Sequence, residues 1–201
     1  MTSIVSICNL ALSNIGKDNI SSISDPEPEA RACNQFYEHV RDMLLQAYPW
    51  RWAGKTVSLA EVANDKPGAW GYAYQRPTDC LKVRYVRPEY SEQDIDLADA
   101  KLDAFGVMHE IERDRIYTDI SPALLRYTYR VTDPTKFPPL FVEALAWHLS
   151  VRLAMPLTRD PKVRAECFTI ANGMQATAQM QDANEERESS DAASDLVESR
   201  D

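Results

Sequence analysis

The spacing of apolar residues changes twice along this chain, and this change constrains the fold more than any other feature of the sequence. Over residues 4–15 apolar side chains recur every three or four positions, as on one face of a helix. Over 125–131 they alternate with polar ones, as in a strand with one apolar and one wet face. Helical spacing returns from residue 139. The pattern predicts an α+β fold in which N- and C-terminal helices form an antiparallel bundle that carries an inserted antiparallel β-rich region.

Capping residues predict where the helices begin and end. The first helix is expected over 3–15, with Thr2 or Ser3 as the N-cap and Gly16 in a left-handed conformation at the C-terminal end. A second helix is expected over 26–48. Its N-cap and first position would be Asp25 and Pro26, and it would stop before Pro49. The next helix is expected over 139–155, with Pro156 as its end. Asp160 and Pro161 would start the last helix, whose predicted face is Val163, Cys167, Ile170, Met174 and Gln181 and is only weakly apolar beyond Met174.

The middle of the chain is rich in β-branched and aromatic residues, which favours strands. Five strands are predicted, over 55–59, 72–75, 81–87, 115–118 and 125–131. The acidic stretch 91–104 is predicted to be a loop or a short helix. The expected organisation is 1–54 and 134–182 as the two parts of the helical bundle, 55–133 as the β-rich insert, and 183–201 as an acidic flexible tail.

Charge is concentrated at the C-terminal end. The formal net charge is −9, and residues 182–201 hold eight acidic and two basic side chains. Basic clusters, which supply affinity for phosphate, are missing from the sequence, so a general nucleic-acid binder is disfavoured. The four scattered cysteines are expected to be reduced thiols. A signal peptide and a membrane span are not expected, and the sequence predicts synthesis in the cytoplasm.

Motifs that would identify an enzyme or a cofactor site are not found: the sequence has no phosphate-binding glycine loop, no nucleophile elbow and no HExxH. No cofactor or metal is predicted. Acid pairs such as Asp94 with Asp96, or Glu110 with Glu112, leave open a carbohydrate hydrolase that uses two carboxylates. Solvated surface charge is the competing interpretation.

Aromatic and apolar residues outside the helices are candidate contacts for partner proteins. Trp70, Tyr72 and Tyr74 alternate along a strand and suit either a core or a subunit interface. Leu196 and Val197 are the only large apolar residues of the acidic tail. They could anchor a segment that folds on a partner, or the tail could simply keep the protein soluble.

An ordered set of residues over about 4–160 resembles a known family of structural proteins. The set is Cys8-Asn9, Ala11-Leu12, Ile15-Gly16, Asp25, Glu29-Ala30, Cys33, Tyr37, Arg41-Asp42, Leu44-Leu45, Pro49-Trp50, Trp52-Ala53, Trp70, Tyr72, Tyr74, Pro77, Asp79, Ile116-Tyr117-Thr118, Asp133, Phe137, Phe141, Ala144-Leu145-Ala146 and Pro156. In this set the chain resembles tail tubular protein A, the head-to-tail adaptor (connector) family of short-tailed bacteriophages.

This resemblance implies a structural, non-enzymatic virion protein. Twelve copies would form a ring that joins the portal protein to the tail nozzle, and genome DNA would pass through the ring without specific binding. The helical part would surround the channel and the β-rich part would face neighbouring subunits. The location implied is the tail of the virion.

Overall fold

The fold is of the α+β class and divides into two compact units. A computed structural model describes residues 2–89 and 106–198, with side chains up to residue 185. One unit, here the helical unit, comprises Met1–Tyr48 and Val131–Asp201; the other, the strand unit, is Pro49–Arg130. The sequence placed the insert at 55–133, so the observed unit begins six residues earlier. The predicted loop or short helix at 91–104 lies outside the described residues.

Four α-helices and one 3-10 turn belong to the helical unit. The helices are α1 (Ile4–Ser13), α2 (Pro28–Ala47), α3 (Pro139–Thr158) and α4 (Pro161–Glu198), and the 3-10 turn is Pro134–Lys136.

The caps of α1 follow the predicted chemistry, whereas the start of α2 does not. Ser3 caps α1 through a reciprocal pair of hydrogen bonds with Ser6, and Gly16 has a φ of 67°. The helix α2 begins at Pro28 rather than Pro26. The predicted N-cap Asp25 does not cap α2. Its carboxylate instead stabilises the preceding turn, where it accepts hydrogen bonds from the backbone N–H groups of two serines, at 3.1 and 2.7 Å.

The helix α3 holds the helical unit together. It packs against α1, α2 and α4, and nine of its side chains are buried: Phe141, Val142, Ala144, Leu145, Ala146, Leu149, Ser150, Leu153 and Ala154. The hydroxyl oxygen of Ser150 lies 3.0 Å from the carbonyl oxygen of Ala11 in α1 and 2.8 Å from that of Ala146, and its single hydrogen is shared between these two acceptors. This buried hydroxyl adds a polar link between α1 and α3 to their apolar packing.

By length and composition α3 could cross a membrane, which the sequence had not led us to expect. An 18-residue window of α3 has a mean hydropathy of 1.3, and 56% of that window is buried within the protein. A helix that contacts other helices on several sides must be apolar on several sides. The absence of a membrane partner stays a prediction.

Two details of α3 and α4 differ from the predicted pattern. Pro156 lies inside α3 and does not end it; the helix ends at Thr158 and is capped by Arg159, whose φ of 57° is left-handed. A proline this close to a helix end removes only one backbone hydrogen bond. The buried face of α4 is Cys167, Ala171, Ala178 and Asp182, while Ile170 is 42% exposed. Small residues on this face let α4 approach α3 closely.

The end of α4 extends beyond the predicted boundary. The sequence predicts a flexible tail over 183–201, but the backbone is helical as far as Glu198. Alanine and glutamate are frequent in this stretch and favour helix, which accounts for the difference. The last buried side chain described on α4 is Asp182.

Seven strands make two antiparallel sheets in the described part of the strand unit. The strands are β1 (Gly54–Ser58), β2 (Glu61–Val62), β3 (Tyr72–Gln75), β4 (Cys80–Pro88), β5 (His109–Glu112), β6 (Arg115–Thr118) and β7 (Ala123–Tyr129). Their order is β1-β7-β4 in one sheet and β2-β3-β6-β5 in the other. The sequence missed β2 and β5, which are short, charged edge strands with little strand signal of their own.

Both sheets contribute to one apolar core. Tyr74 and Ile116 from the four-stranded sheet pack with Val86, Leu125 and Tyr127 from the three-stranded sheet. The predicted strand 125–131 contributes Leu125 and Tyr127 to this core, whereas β7 ends at Tyr129 and Val131 belongs to the helical unit.

A buried hydroxyl at the rim of this core has a charged partner. Tyr127 donates its hydroxyl to Asp79 Oδ1 at 2.8 Å, and Lys55 Nζ lies 3.0 Å from Asp79 Oδ2. Burial, followed by the hydrogen bond to Asp79, raises the pKa of Tyr127 to about 12.

Replacing Ser150 with alanine should weaken the helical unit. We expect Ser150→Ala to lower the free energy of unfolding by about 1 kcal/mol, because the carbonyl of Ala11 and the side chain of Asn14 lose a buried partner. Urea unfolding followed by circular dichroism measures the change. The matched control is Thr177→Ala, whose exposed hydroxyl bonds only to its own helix, and which should change stability by less than about 0.5 kcal/mol. Equal effects of the two substitutions would contradict the role given to Ser150.

Candidate interaction surfaces

A network of charged and aromatic side chains ties the loop between β2 and β3 to strands β5 and β6. We call it the Lys66 cluster; its members are Asp65, Lys66, Trp70, Glu110, Glu112, Arg115 and Tyr117. All seven belong to the strand unit.

Lys66 is the centre of the cluster. Its Nζ lies 2.7 Å from Glu110 Oε1 and 2.5 Å from Glu112 Oε2, and 4.8 Å from the centre of the Tyr117 ring. The indole Nε1 of Trp70 donates to Glu110 Oε2 at 2.7 Å. The ammonium of Lys66, followed by the indole of Trp70, lowers the pKa of Glu110.

The other end of the cluster is also internally paired. Asp65 Oδ1 accepts a hydrogen bond from the Tyr117 hydroxyl at 2.8 Å and lies 2.8 Å from Arg115 Nη1. The hydrogen bond from Tyr117 is the largest cause of the lowered pKa of Asp65. Each named polar group has a partner inside the cluster, so the cluster acts as a clamp on the loop.

The three aromatic candidates occupy different environments. Tyr74 is 2% exposed and donates its hydroxyl to the carbonyl of Ile120 at 2.9 Å, so it is a core residue and is not accessible to a partner. Tyr72 is half-buried, with its ring centre 6.5 Å from that of Tyr74. Trp70 is half-buried within the Lys66 cluster. A contact of Trp70 or Tyr72 with a partner stays a prediction.

The other two candidates lie at the end of the described chain. Leu196 and Val197 belong to the helical backbone of α4, and their side chains are outside the described part. The structure therefore places them far along the helix from Asp182, the last buried side chain described on α4.

The acid pair Glu110 and Glu112 lacks the electrostatics of a glycosidase. Such enzymes need one carboxyl whose pKa is raised so that it can give up a proton. Here both carboxylates share Lys66, and the pKa of Glu110 is lowered. Asp94 and Asp96 lie outside the described residues.

Cysteines and histidines show no metal-ligand arrangement in the described ranges. No group of three His, Cys, Asp or Glu side chains there could hold a metal ion. The four cysteines are free and buried. Cys8 and Cys33 share a hydrogen bond between α1 and α2, and this bond is the largest cause of the raised pKa of Cys8.

A second candidate surface is an apolar groove in the helical unit, which sequence patterns did not reveal. It has a volume of about 560 Å³ and is formed by side chains of α2, α3 and α4: Met43, His148, Val151, Arg152, Arg164 and Phe168. Phe168 is 55% exposed at its edge. The sequence signal was a large aromatic side chain outside the predicted apolar face of α4, but only the packing of three helices shows that this side chain borders a groove.

The groove carries positive charge. Arg152 and Arg164 line it, and neither forms an ion pair with any residue whose side chain the structure describes. Burial lowers the pKa of His148, so its imidazole is neutral near pH 7. Two guanidinium groups that have no ion pair among the described side chains, beside apolar side chains, suit an acidic segment that carries an apolar anchor.

The ionisation of Glu110 should be visible at Trp70. We expect the NMR signal of the Trp70 indole N–H to titrate with a midpoint below 4.5, the ordinary glutamate value, because Lys66 stabilises the carboxylate. The stabilisation is complete above pH 4.5 and is lost as the pH falls through the lowered folded-state pKa. Lys66→Met should move the midpoint upward, whereas Lys55→Met, which removes the ion pair with Asp79, should not. A midpoint unaffected by Lys66→Met would disprove this assignment.

Comparison with known proteins does not identify a family. No protein-family model matches the chain, and no curated protein matches it either.

Proposed function

We propose that this protein is a ring-forming head-to-tail adaptor of a short-tailed bacteriophage. It would join the portal protein to the tail nozzle and form part of the DNA channel in the virion tail, after synthesis in the host cytoplasm. Twelve copies would make the ring. In this proposal α1 to α4 form an antiparallel bundle that surrounds the channel, and the strand unit meets neighbouring subunits.

The observation that carries the proposal is the division of the chain into two units. Both ends of the chain contribute to one helical unit, through contacts of α3 with α1, α2 and α4. The middle of the chain forms a separate unit of two antiparallel sheets. This is the organisation implied by the ordered residues that resemble the adaptor family. The two-residue connection between α3 and α4 supports an antiparallel arrangement of that pair.

Charge supports the same proposal. A conduit for DNA must let phosphate pass without holding it, and affinity for phosphate increases with the number of clustered cations. The chain has 31 acidic residues against 22 lysines and arginines. In the strand unit, Lys66 and Arg115 are engaged by carboxylates and are not available to bind phosphate strongly.

The alternative, a tail-associated carbohydrate hydrolase, receives less support. The described acid pair is bound to a common lysine, and the lowered pKa of Glu110 opposes proton donation at neutral pH. A clamp between loop and strands accounts for the same residues without a reaction.

Assembly on the portal protein tests the proposal. The purified protein, mixed with the portal protein encoded in the same genome, should form a twelve-fold ring at one end of the portal, visible by negative-stain electron microscopy. An unrelated portal protein is the control and should remain bare. A mixture that yields no ring on the cognate portal at any salt concentration would contradict the adaptor function.

An activity screen distinguishes the adaptor from the alternative, the carbohydrate hydrolase. The protein should release no sugar from glucan or peptidoglycan. Activity that disappears in both Glu110→Gln and Glu112→Gln would instead favour the hydrolase.

A further inference from the structure

We propose that the apolar groove of the helical unit binds the acidic C-terminal segment, residues 183–201, of a second copy of this chain. Leu196 and Val197 would be the apolar anchor of that segment. The proposal deepens the adaptor function and rests on it in one respect: it names the contact by which neighbouring subunits of the ring recognise each other.

The first support is the chemistry of the groove. Its walls are apolar, with Met43, Val151 and Phe168 from three different helices, and Phe168 is 55% exposed. An exposed aromatic beside a cavity of about 560 Å³ leaves apolar surface in water, and covering such surface is favourable. The size suits a few aliphatic side chains.

The second support is charge complementarity. Two arginines of the described structure pair with carboxylates, Arg41 with Asp42 and Arg115 with Asp65. Arg152 and Arg164, which line the groove, have no such ion pair among the described side chains. Residues 183–201 carry seven acids and two bases. The most acidic part of the chain is therefore opposite in charge to the groove, so the two attract each other.

The third support is that the buried face described on α4 ends before the segment begins. The last buried side chain described on α4 is Asp182, and residues 183–185 are exposed. The backbone remains helical to Glu198. Isolated helices of this length are only marginally stable in water, so a partner surface would stabilise this one.

Geometry excludes binding of the segment to the groove of its own chain. Ala165, beside the groove, and Leu196 lie on the same 38-residue helix, so they are separated by roughly 45 Å at a rise of about 1.5 Å per residue. A continuous helix cannot bring its own end back to its beginning. Each chain thus offers one groove and one acidic segment, and the contact is head-to-tail, the type that closes into rings or extends into filaments.

A peptide provides the direct test. A fluorescent peptide of residues 183–201 should bind the full-length protein in an anisotropy titration, and added salt should weaken binding. A peptide of the same composition with Leu and Val separated in a scrambled order should bind at least tenfold more weakly. Equal binding of the two peptides, or binding of neither, would overturn the proposal.

A charge exchange in the full chain tests the contact between copies. We expect sedimentation velocity to show concentration-dependent association of the wild type. Arg152→Glu with Arg164→Glu in the groove, or Asp195→Lys with Glu198→Lys in the segment, should each weaken association at least tenfold. An equimolar mixture of the two variants should restore it. Lys162→Glu, an exposed charge reversal on the same helix outside the groove lining, is the control and should associate like the wild type.

The outcomes separate this inference from the adaptor function. If the mixture does not restore association, or the wild type remains monomeric while the peptide fails to bind, the inference is wrong; rings on the portal would still support the adaptor. If the groove variant loses portal binding but binds the peptide normally, the portal is the occupant, and the inference is again wrong. If exchange restores association but no ring forms on any portal, the adaptor function is what fails.

Discussion

The packing of α3 against three other helices is the interaction on which the helical unit depends. Because α3 contacts α1, α2 and α4, it needs apolar side chains on several sides. This requirement explains both its nine buried residues and a hydropathy high enough to suit a membrane span. It also explains why residues 136 positions apart in sequence, Asn14 and Ser150, share a hydrogen bond. The β-rich middle can then be an insert, since the helices before and after it are joined by their own core.

Polar side chains in the strand unit are arranged mainly to hold loops. Tyr127, Asp79 and Lys55 tie a strand to a neighbouring turn. Lys66 and its two glutamates fix the loop before β3 to β5. In each case the lowered pKa of a carboxylate follows from a cation and a hydrogen-bond donor that the fold brings to it. A carboxylate paired in this way is held in its ionised form and is a poor proton donor. This suits a protein whose proposed role is assembly.

The helical unit differs, because its groove leaves charge and apolar surface unmatched. Two arginines without ion pairs among the described side chains lie beside an exposed phenylalanine. The same chain ends in a helix whose acidic half has no described packing of its own. The two features complement each other in sign, and the length of α4 prevents them from meeting within one molecule. A head-to-tail contact of this kind would give a ring its repeating interface without a separate oligomerisation domain.

The sequence by itself determined the α+β class, the order of the four helices and of five of the strands, and the bounds of β3 and β6, because apolar periodicity and caps such as Ser3 and Gly16 act over a few residues. Tertiary structure decided what depends on distant partners. The carboxylate of Asp25 is taken by a preceding turn, β2 and β5 exist because they pair with neighbours, and Tyr74 is enclosed by a second sheet. The groove that contains the two arginines forms only when three helices pack together. The spacing of apolar residues in one helix does not show which of its side chains the other two helices leave exposed.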